Sequence, residues 1–138
     1  MFWGNPVKGE MSEEMVRAVL DSLPVDIVVI DDMDRVVAWN REGRRILLQV
    51  GEEVLGKDVR ECHPQGSIPH LDRILERMRV GTLDFTRTVM ERAGPEGEDR
   101  VLVSYIALRD PEGRYLGCME VDQDLDQDLS DVGGGGSA

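Results

Sequence analysis

Apolar residues recur at helical spacing in two parts of the chain. Met11, Met15, Val19 and Leu23 follow one another at intervals of four residues, so they predict a helix that begins near Ser12 and stops at Pro24. A longer helix is predicted from about residue 67 or 68 to residue 79, with Gly81 as its stop signal. Its apolar stripe consists of Ile68, Leu71, Ile74, Leu75 and Met78.

Five short runs rich in β-branched and apolar residues predict strands. The first two enclose the acidic turn 32–34, and the last three are joined by loops rich in glycine and proline, so neighbouring strands should form hairpins. Residues 40–49 predict a further helix, and 57–67 predict a loop with a turn of helix before Pro64. This order predicts an α+β fold: one five-stranded antiparallel sheet with helices on one face and an N-terminal helix. The predicted strands span residues 25–31, 35–39, 83–92, 100–108 and 115–121.

Composition narrows the classes of function. The 138 residues suit one domain, and 16 basic against 28 acidic residues give a net charge of -12, which argues against binding to nucleic acid or to a membrane surface. Two cysteines, the absence of a secretory signal and the lack of a 20-residue apolar stretch favour the cytoplasm. With two histidines and no glycine-rich phosphate loop after a strand, we expect no enzymatic activity.

The two ends differ in composition from the middle. Residues 1–11 predict an irregular leader, residues 12–128 the domain, and residues 129–138 an acidic and glycine-rich tail that ends in GGGGSA, typical of a linker or an expression scar. Residues 122–131 repeat the acidic sequence DQDL and are expected to be a solvated tail.

Three segments together resemble a PAS domain, a sensory and signalling module. They are LPVDIVVIDDMDRVVAWN, EEVLGKDVRECHP and YIALRDPEGRYLGCMEVDQDL, in the order and at the spacing of the opening hairpin, the approach to the long helix and the last hairpin. The ECHP stretch followed by His70 is similar to PAS domains of bacterial and archaeal proteins with hemerythrin-like segments. The resemblance implies a PAS fold and a sensory role, with an output domain or signalling partner outside this chain.

A partial resemblance to haem-binding PAS sensors implies a cofactor. In that group a histidine near the start of the long helix ligates the iron, and His70 stands close to that position, after Gly56 and Pro64. The prediction is therefore a b-type haem on His70, for gas or redox sensing. The residues expected to surround it are Ile74, Met90, Leu102, Ile106 and Met119.

Several alternatives stay open. Cys62 and His63 are alternative metal ligands, although a zinc site built from them and His70 has no evident fourth ligand. His63, which precedes Pro64, is expected to bond a loop carbonyl. Cys62 stands in the wrong register for the cysteine of flavin-binding PAS domains. The domain could also serve as a cofactor-free interaction module or a metabolite sensor, with the N-terminal helix forming a homodimer.

Overall fold

Five antiparallel strands form one sheet in the computed structural model, which describes residues 8–41, 46, 51–94 and 97–126. Their spatial order is β2-β1-β5-β4-β3, so the first and last strands pair in the middle of the sheet. This confirms the predicted α+β fold with a five-stranded antiparallel sheet. The strands are β1 (Asp26–Asp31), β2 (Val36–Trp39), β3 (Phe85–Gly94), β4 (Gly97–Arg109) and β5 (Tyr115–Asp124).

The N-terminal helix α1 (Glu13–Ser22) is held to the sheet at its C-terminal end. Ser12 caps its start by accepting a hydrogen bond from the Met15 N–H at 3.1 Å, and the chain leaves the helix at Leu23 before Pro24. The side-chain amide of Asn40 donates to the Leu20 carbonyl at 2.7 Å. None of the residues of α1 is buried.

The long helix α2 (Ile68–Val80) has the limits that the sequence predicts within one residue. Gly81 ends it in the left-handed conformation, with φ of 88°, which a residue without a Cβ adopts at little cost. Three short 3₁₀ turns, Glu52–Val54, Val59–Cys62 and Gln65–Ser67, precede it, in keeping with the turn of helix expected before Pro64. The helix predicted over 40–49 falls mainly outside the described residues.

One face of the sheet, here called the inner face, packs against α2. Its apolar members include Val28 on β1, Val103 and Tyr105 on β4, and Cys118 on β5. Side chains alternate along a strand, so the intervening residues of each strand lie on the opposite, outer face. The stripe of α2 is buried against the inner face, as predicted, through Leu71, Ile74, Leu75 and Met78.

β5 approaches β1 very closely at Gly117. A Cβ at this position would lie 2.0 Å from the Ile30 carbonyl oxygen, so a side chain here would push the two strands apart. The paired strand β4 shifts register nearby, between Leu108 and Arg109.

The acidic repeat begins inside the sheet rather than in a solvated tail. β5 continues to Asp124, and Asp122 and Asp124 are 1% and 5% exposed on the inner face. The alternation that buries Cys118 and Glu120 continues through these two residues, which corrects the expectation for 122–131 at its start. Residues 127–138, like residues 1–7, lie outside the described part. Among the described helices, none has the length and apolar character that a membrane crossing needs.

Candidate functional site

A cleft of about 430 Å³ opens between the start of α2 and the edge of the sheet formed by β3, β4 and β5. This volume lies in the range of about 300–1,000 Å³ that is typical of small-molecule sites. Its walls are largely apolar, and its deepest polar groups are His63, Tyr105 and Glu120, which we call the floor. The full set of lining residues is His63, Pro64, Ser67, His70, Thr88, Val89, Met90, Val103, Tyr105 and Glu120.

A buried ion pair forms the centre of the floor. His63 Nε2 lies 3.2 Å from Glu120 Oε1, and the two side chains are only 8% and 9% exposed. His63 follows the 3₁₀ turn Val59–Cys62 and has the extended backbone expected of a residue before proline. Its other ring nitrogen, Nδ1, lies 3.0 Å from the Val59 carbonyl oxygen, which confirms the predicted bond to a loop carbonyl.

The two partners of His63 determine its protonation. A carbonyl oxygen only accepts hydrogen bonds, so Nδ1 donates to Val59, and an ionised carboxylate also only accepts, so Nε2 donates to Glu120. Burial alone would lower the pKa of His63, but the hydrogen bond and the charge of Glu120, together with the Val59 carbonyl, outweigh burial and raise it. The folded protein therefore favours the imidazolium form of this ring more than water does.

Glu120 shows the complementary shift. Burial alone would raise its pKa, but the hydrogen bond from His63, and after it one with Asp122, lower the pKa below its usual value. Tyr105 lies directly across the β4–β5 pair from Glu120, and its hydroxyl also helps to lower the pKa of this carboxylate. Burial, then the charges of Glu120 and Asp122, raise the pKa of Tyr105, so the phenol keeps its proton and serves as a donor.

A second group of buried polar residues continues along the inner face. Asp26 is fully buried, accepts from the backbone N–H of Ile46, and lies 3.8 Å from the Arg41 guanidinium. At the other edge, Arg92 lies 3.8 Å from Asp124 and donates to the Ile46 carbonyl. The inner face therefore carries paired charges at this end of the sheet, including Asp124, which was expected in a solvated tail.

The structure separates the residues predicted to surround a haem. His70, at the exposed mouth of the cleft, and Met90 both line it. Ile74 belongs to the core between α2 and the sheet and lines a smaller groove beside His70. The predicted wall needs correction at three positions, because strand alternation places Leu102, Ile106 and Met119 on the outer face.

Most of the predicted haem wall therefore lies outside the cleft. Of the five wall residues only Met90 reaches the cleft, and the floor is an ion pair rather than an apolar surface. A porphyrin needs contacts on both faces, and the side chains predicted for the second face point away from His70.

The alternative metal ligands are also unsuited to their predicted role. Both ring nitrogens of His63 already have oxygen partners. Burial, followed by the charges of nearby acids such as Glu61, raises the pKa of the Cys62 thiol and disfavours the thiolate that binds metals. Within the described ranges, no group of three or more histidine, cysteine, aspartate or glutamate residues could hold a metal ion.

The floor residues Glu120 and Tyr105 are not among the sequence-predicted site residues. The sequence pattern that could have identified them is the alternation along β5. Every second residue lies on its inner face, and these residues are Cys118, Glu120, Asp122 and Asp124. Three of these are acidic, and a buried carboxylate needs a partner, which predicts a cation such as His63 nearby.

Comparison with known proteins identifies the fold and the family. The family model of the PAS domain matches residues 16–126. No curated protein matches the sequence. The chain is similar to the C-terminal domain of a protein from Streptococcus mutans, with 23% identity and a TM-score of 0.77 over 91% of this chain and 94% of that chain.

Two further solved structures share the fold. The PAS domain of a protein from Colwellia psychrerythraea is 16% identical, with a TM-score of 0.61 over 83% of this chain and 97% of that chain. VqmA, solved bound to DPO, is 20% identical, with a TM-score of 0.61 over 88% of this chain and 62% of that chain. At these identities the structures show the fold, whereas the family match covers most of the chain. The chain belongs to the PAS domain family.

Proposed function

We propose that this PAS domain is a sensor that binds a small organic molecule in the cleft between α2 and strands β3–β5. The observation that carries the proposal is the cleft itself, about 430 Å³ in volume, with apolar walls over the buried His63–Glu120 pair. A few convergent polar groups in an apolar pocket, with pKa values shifted by a specific partner, are typical of binding sites. VqmA, which has a similar fold, has been solved with the small molecule DPO bound.

The cleft also offers a route for the signal. It lies between the start of α2 and three strands, and its floor joins the turn Val59–Cys62 to β5 through His63 and Glu120. A ligand that changes the bonds of this pair alters how that turn is held against the sheet. We expect this change to reach an output domain or partner protein through β5 or α1.

A cleft-filling substitution tests the proposal. Thr88 lines the cleft from β3, so Thr88→Trp should occupy the ligand volume. Arg87→Trp, one residue earlier and on the outer face, is the matched control. In a thermal-shift screen of a metabolite library, we expect compounds that stabilise the unmodified domain and Arg87→Trp but not Thr88→Trp. The absence of stabilising compounds, or equal stabilisation of Thr88→Trp, would contradict the proposal.

A b-type haem held by His70 is the second candidate, and with it the closer kinship to PAS domains of hemerythrin-like proteins. His70 and Met90 line the same cleft, which is the observation in its favour. It predicts a Soret band after reconstitution that His70→Ala abolishes and His63→Ala leaves in place. A domain that stays colourless with haem, or a His70→Ala variant that binds haem as well as the parent, would exclude it.

We further propose that α1 forms a homodimer. Its apolar stripe is solvent-exposed, from 38% at Val16 to 53% at Met15, and the described hydrogen bonds that tie α1 to the sheet lie near its C-terminal end. The outer face of the sheet is also apolar at Phe85, which is 50% exposed. A second copy covers both surfaces with matching chemistry. We propose a cytoplasmic location, which a chain with only two cysteines favours.

A further inference from the structure

The floor of the cleft has already used its hydrogen-bond donors. Both N–H groups of His63 are engaged, one by Val59 and the other by Glu120. The Tyr105 phenol keeps its proton and lies directly across the β4–β5 pair from the same carboxylate. The lone pairs of Glu120 that His63 does not use are left for a ligand. The deepest part of the cleft therefore offers mainly hydrogen-bond acceptors.

The hydroxyl of Ser67 adds a further acceptor near the mouth. It donates to the Pro64 carbonyl at 2.8 Å, so its oxygen faces a ligand with lone pairs. Thr88 and His70, at the same level, can serve in either role.

The charge of the floor disfavours anions. The single cation of the floor, His63, is matched by Glu120, and Asp122 lies on the same face of β5 beyond it. A carboxylate or phosphate placed beside Glu120 would meet a buried carboxylate whose partner His63 has no N–H left to donate, where the repulsion is weakly screened. A cation or an uncharged donor meets acceptors that are already in place.

We infer that the cleft binds uncharged or cationic molecules that donate hydrogen bonds from an apolar ring or chain, and that it rejects carboxylates and phosphates. This inference rests on the proposed function, since it names the ligand class of the same site. The apolar body lies between Val103, Met90 and Pro64, and the N–H or O–H group points to Glu120 and Tyr105.

Four probes of matched shape test the inference. Benzylamine carries a cationic donor, benzyl alcohol an uncharged donor, toluene no donor and benzoate an anion. Methyl NMR follows binding at Met90, inside the cleft, with Met119 on the outer face as the internal reference. We expect benzylamine and benzyl alcohol to shift Met90 but not Met119. Benzoate should bind at least about tenfold more weakly than benzylamine, the effect of one hydrogen bond to a charged group.

Two substitutions assign the preference to the floor. Glu120→Gln keeps the shape of the side chain but removes its charge. It should weaken the binding of benzylamine about tenfold and reduce the difference in affinity between benzylamine and benzoate. Glu91→Gln is the matched control, on the exposed outer side of β3. If Glu120→Gln does not fold, Tyr105→Phe provides a second test. This substitution should weaken the binding of benzyl alcohol severalfold and leave the binding of toluene unchanged.

The outcomes distinguish a wrong ligand class from a wrong ligand site. If benzoate binds in the cleft as tightly as benzylamine, the inferred ligand class is wrong, whereas the proposed binding site stands. Equal affinity of benzylamine for Glu120→Gln and the parent also overturns the inferred ligand class. If none of the four probes shifts Met90, and Thr88→Trp leaves all library binding unchanged, the proposed function itself is wrong.

Discussion

Replacing Glu120 by glutamine should lower the stability of the domain by an amount that depends on pH. The side chains of His63 and Glu120 are both less than a tenth exposed, so the pair belongs to the buried class rather than to surface pairs, which contribute about 0–1 kcal/mol. Leaving a buried charge without its partner costs about 3–5 kcal/mol. The glutamine amide can donate to a neutral imidazole, so we expect a smaller loss of about 1.5–3 kcal/mol, the range for a hydrogen bond to a charged group.

The pH dependence follows from the two pKa shifts. The pKa of His63 is raised in the folded protein. Its contribution to the free energy of unfolding is therefore complete below the unfolded-state pKa of about 6.5 and is lost as pH rises through the folded-state pKa. The pKa of Glu120 is lowered, so its contribution is complete above about 4.3 and is lost as pH falls through the folded value. The pair should stabilise the domain most between about pH 4.3 and 6.5.

Urea unfolding followed by far-UV circular dichroism measures this effect at pH 5.5 and at pH 9. The loss caused by Glu120→Gln should be largest at pH 5.5 and smaller at pH 9, because the contribution of His63 is lost as pH rises through its folded pKa. Glu91→Gln, on the exposed face of β3, should change stability by less than about 0.5 kcal/mol at either pH. A loss for Glu120→Gln that is equal at the two pH values would refute the imidazolium–carboxylate pair.

Three further substitutions test the fold and the dimer. Leu75→Ala should cost about 2–5 kcal/mol in urea unfolding, because Leu75 is 1% exposed; a cost below about 1 kcal/mol would place α2 outside the core. Gly117→Ala should cost about 1–3 kcal/mol, because its Cβ meets the Ile30 carbonyl, whereas Gly66→Ala, with open space around it, should be tolerated. Val19→Glu should convert a dimer to a monomer with unchanged circular dichroism; sedimentation of the parent as a monomer at high concentration would rule the dimer out.

The elements could be predicted because their patterns are local. The stripe through Leu71, Leu75 and Met78 has helical period, and the runs that became β1 and β4 are β-branched and bounded by turns. These patterns depend on neighbouring residues alone, so they predict the sheet, the long helix and the opening and closing hairpins.

The site could be predicted only in part, since it depends on which face each strand residue occupies. Sequence alone does not show whether Met90 or Leu102 faces α2, and the two were expected on the same wall. A shift of one residue exchanges the faces of a strand, which is why Ile106 and Met119 were also assigned to the wrong side.

The burial of the acidic residues was not predicted for a different reason. Carboxylates are rarely buried, so Asp122 was expected in a solvated tail and Glu120 was not expected in the site. Glu120 is buried beside His63, which is 57 residues away along the chain. Partners that distant become visible only when the pairing of the strands and the position of the loop before α2 are known.

The protonation of His63 shows whether a charged His63–Glu120 pair forms the floor of the cleft. Nitrogen-15 NMR of the two histidine rings at pH 6.5, with a His63→Gln spectrum for assignment, reports which ring nitrogens carry protons. An unperturbed imidazole is about half protonated at this pH. We expect both nitrogens of His63 to be predominantly protonated. We also expect benzylamine to change Nε2, which faces Glu120, more than Nδ1, which faces Val59. A neutral His63 ring at pH 6.5, or a ring unaffected by a probe that shifts Met90, would contradict these expectations.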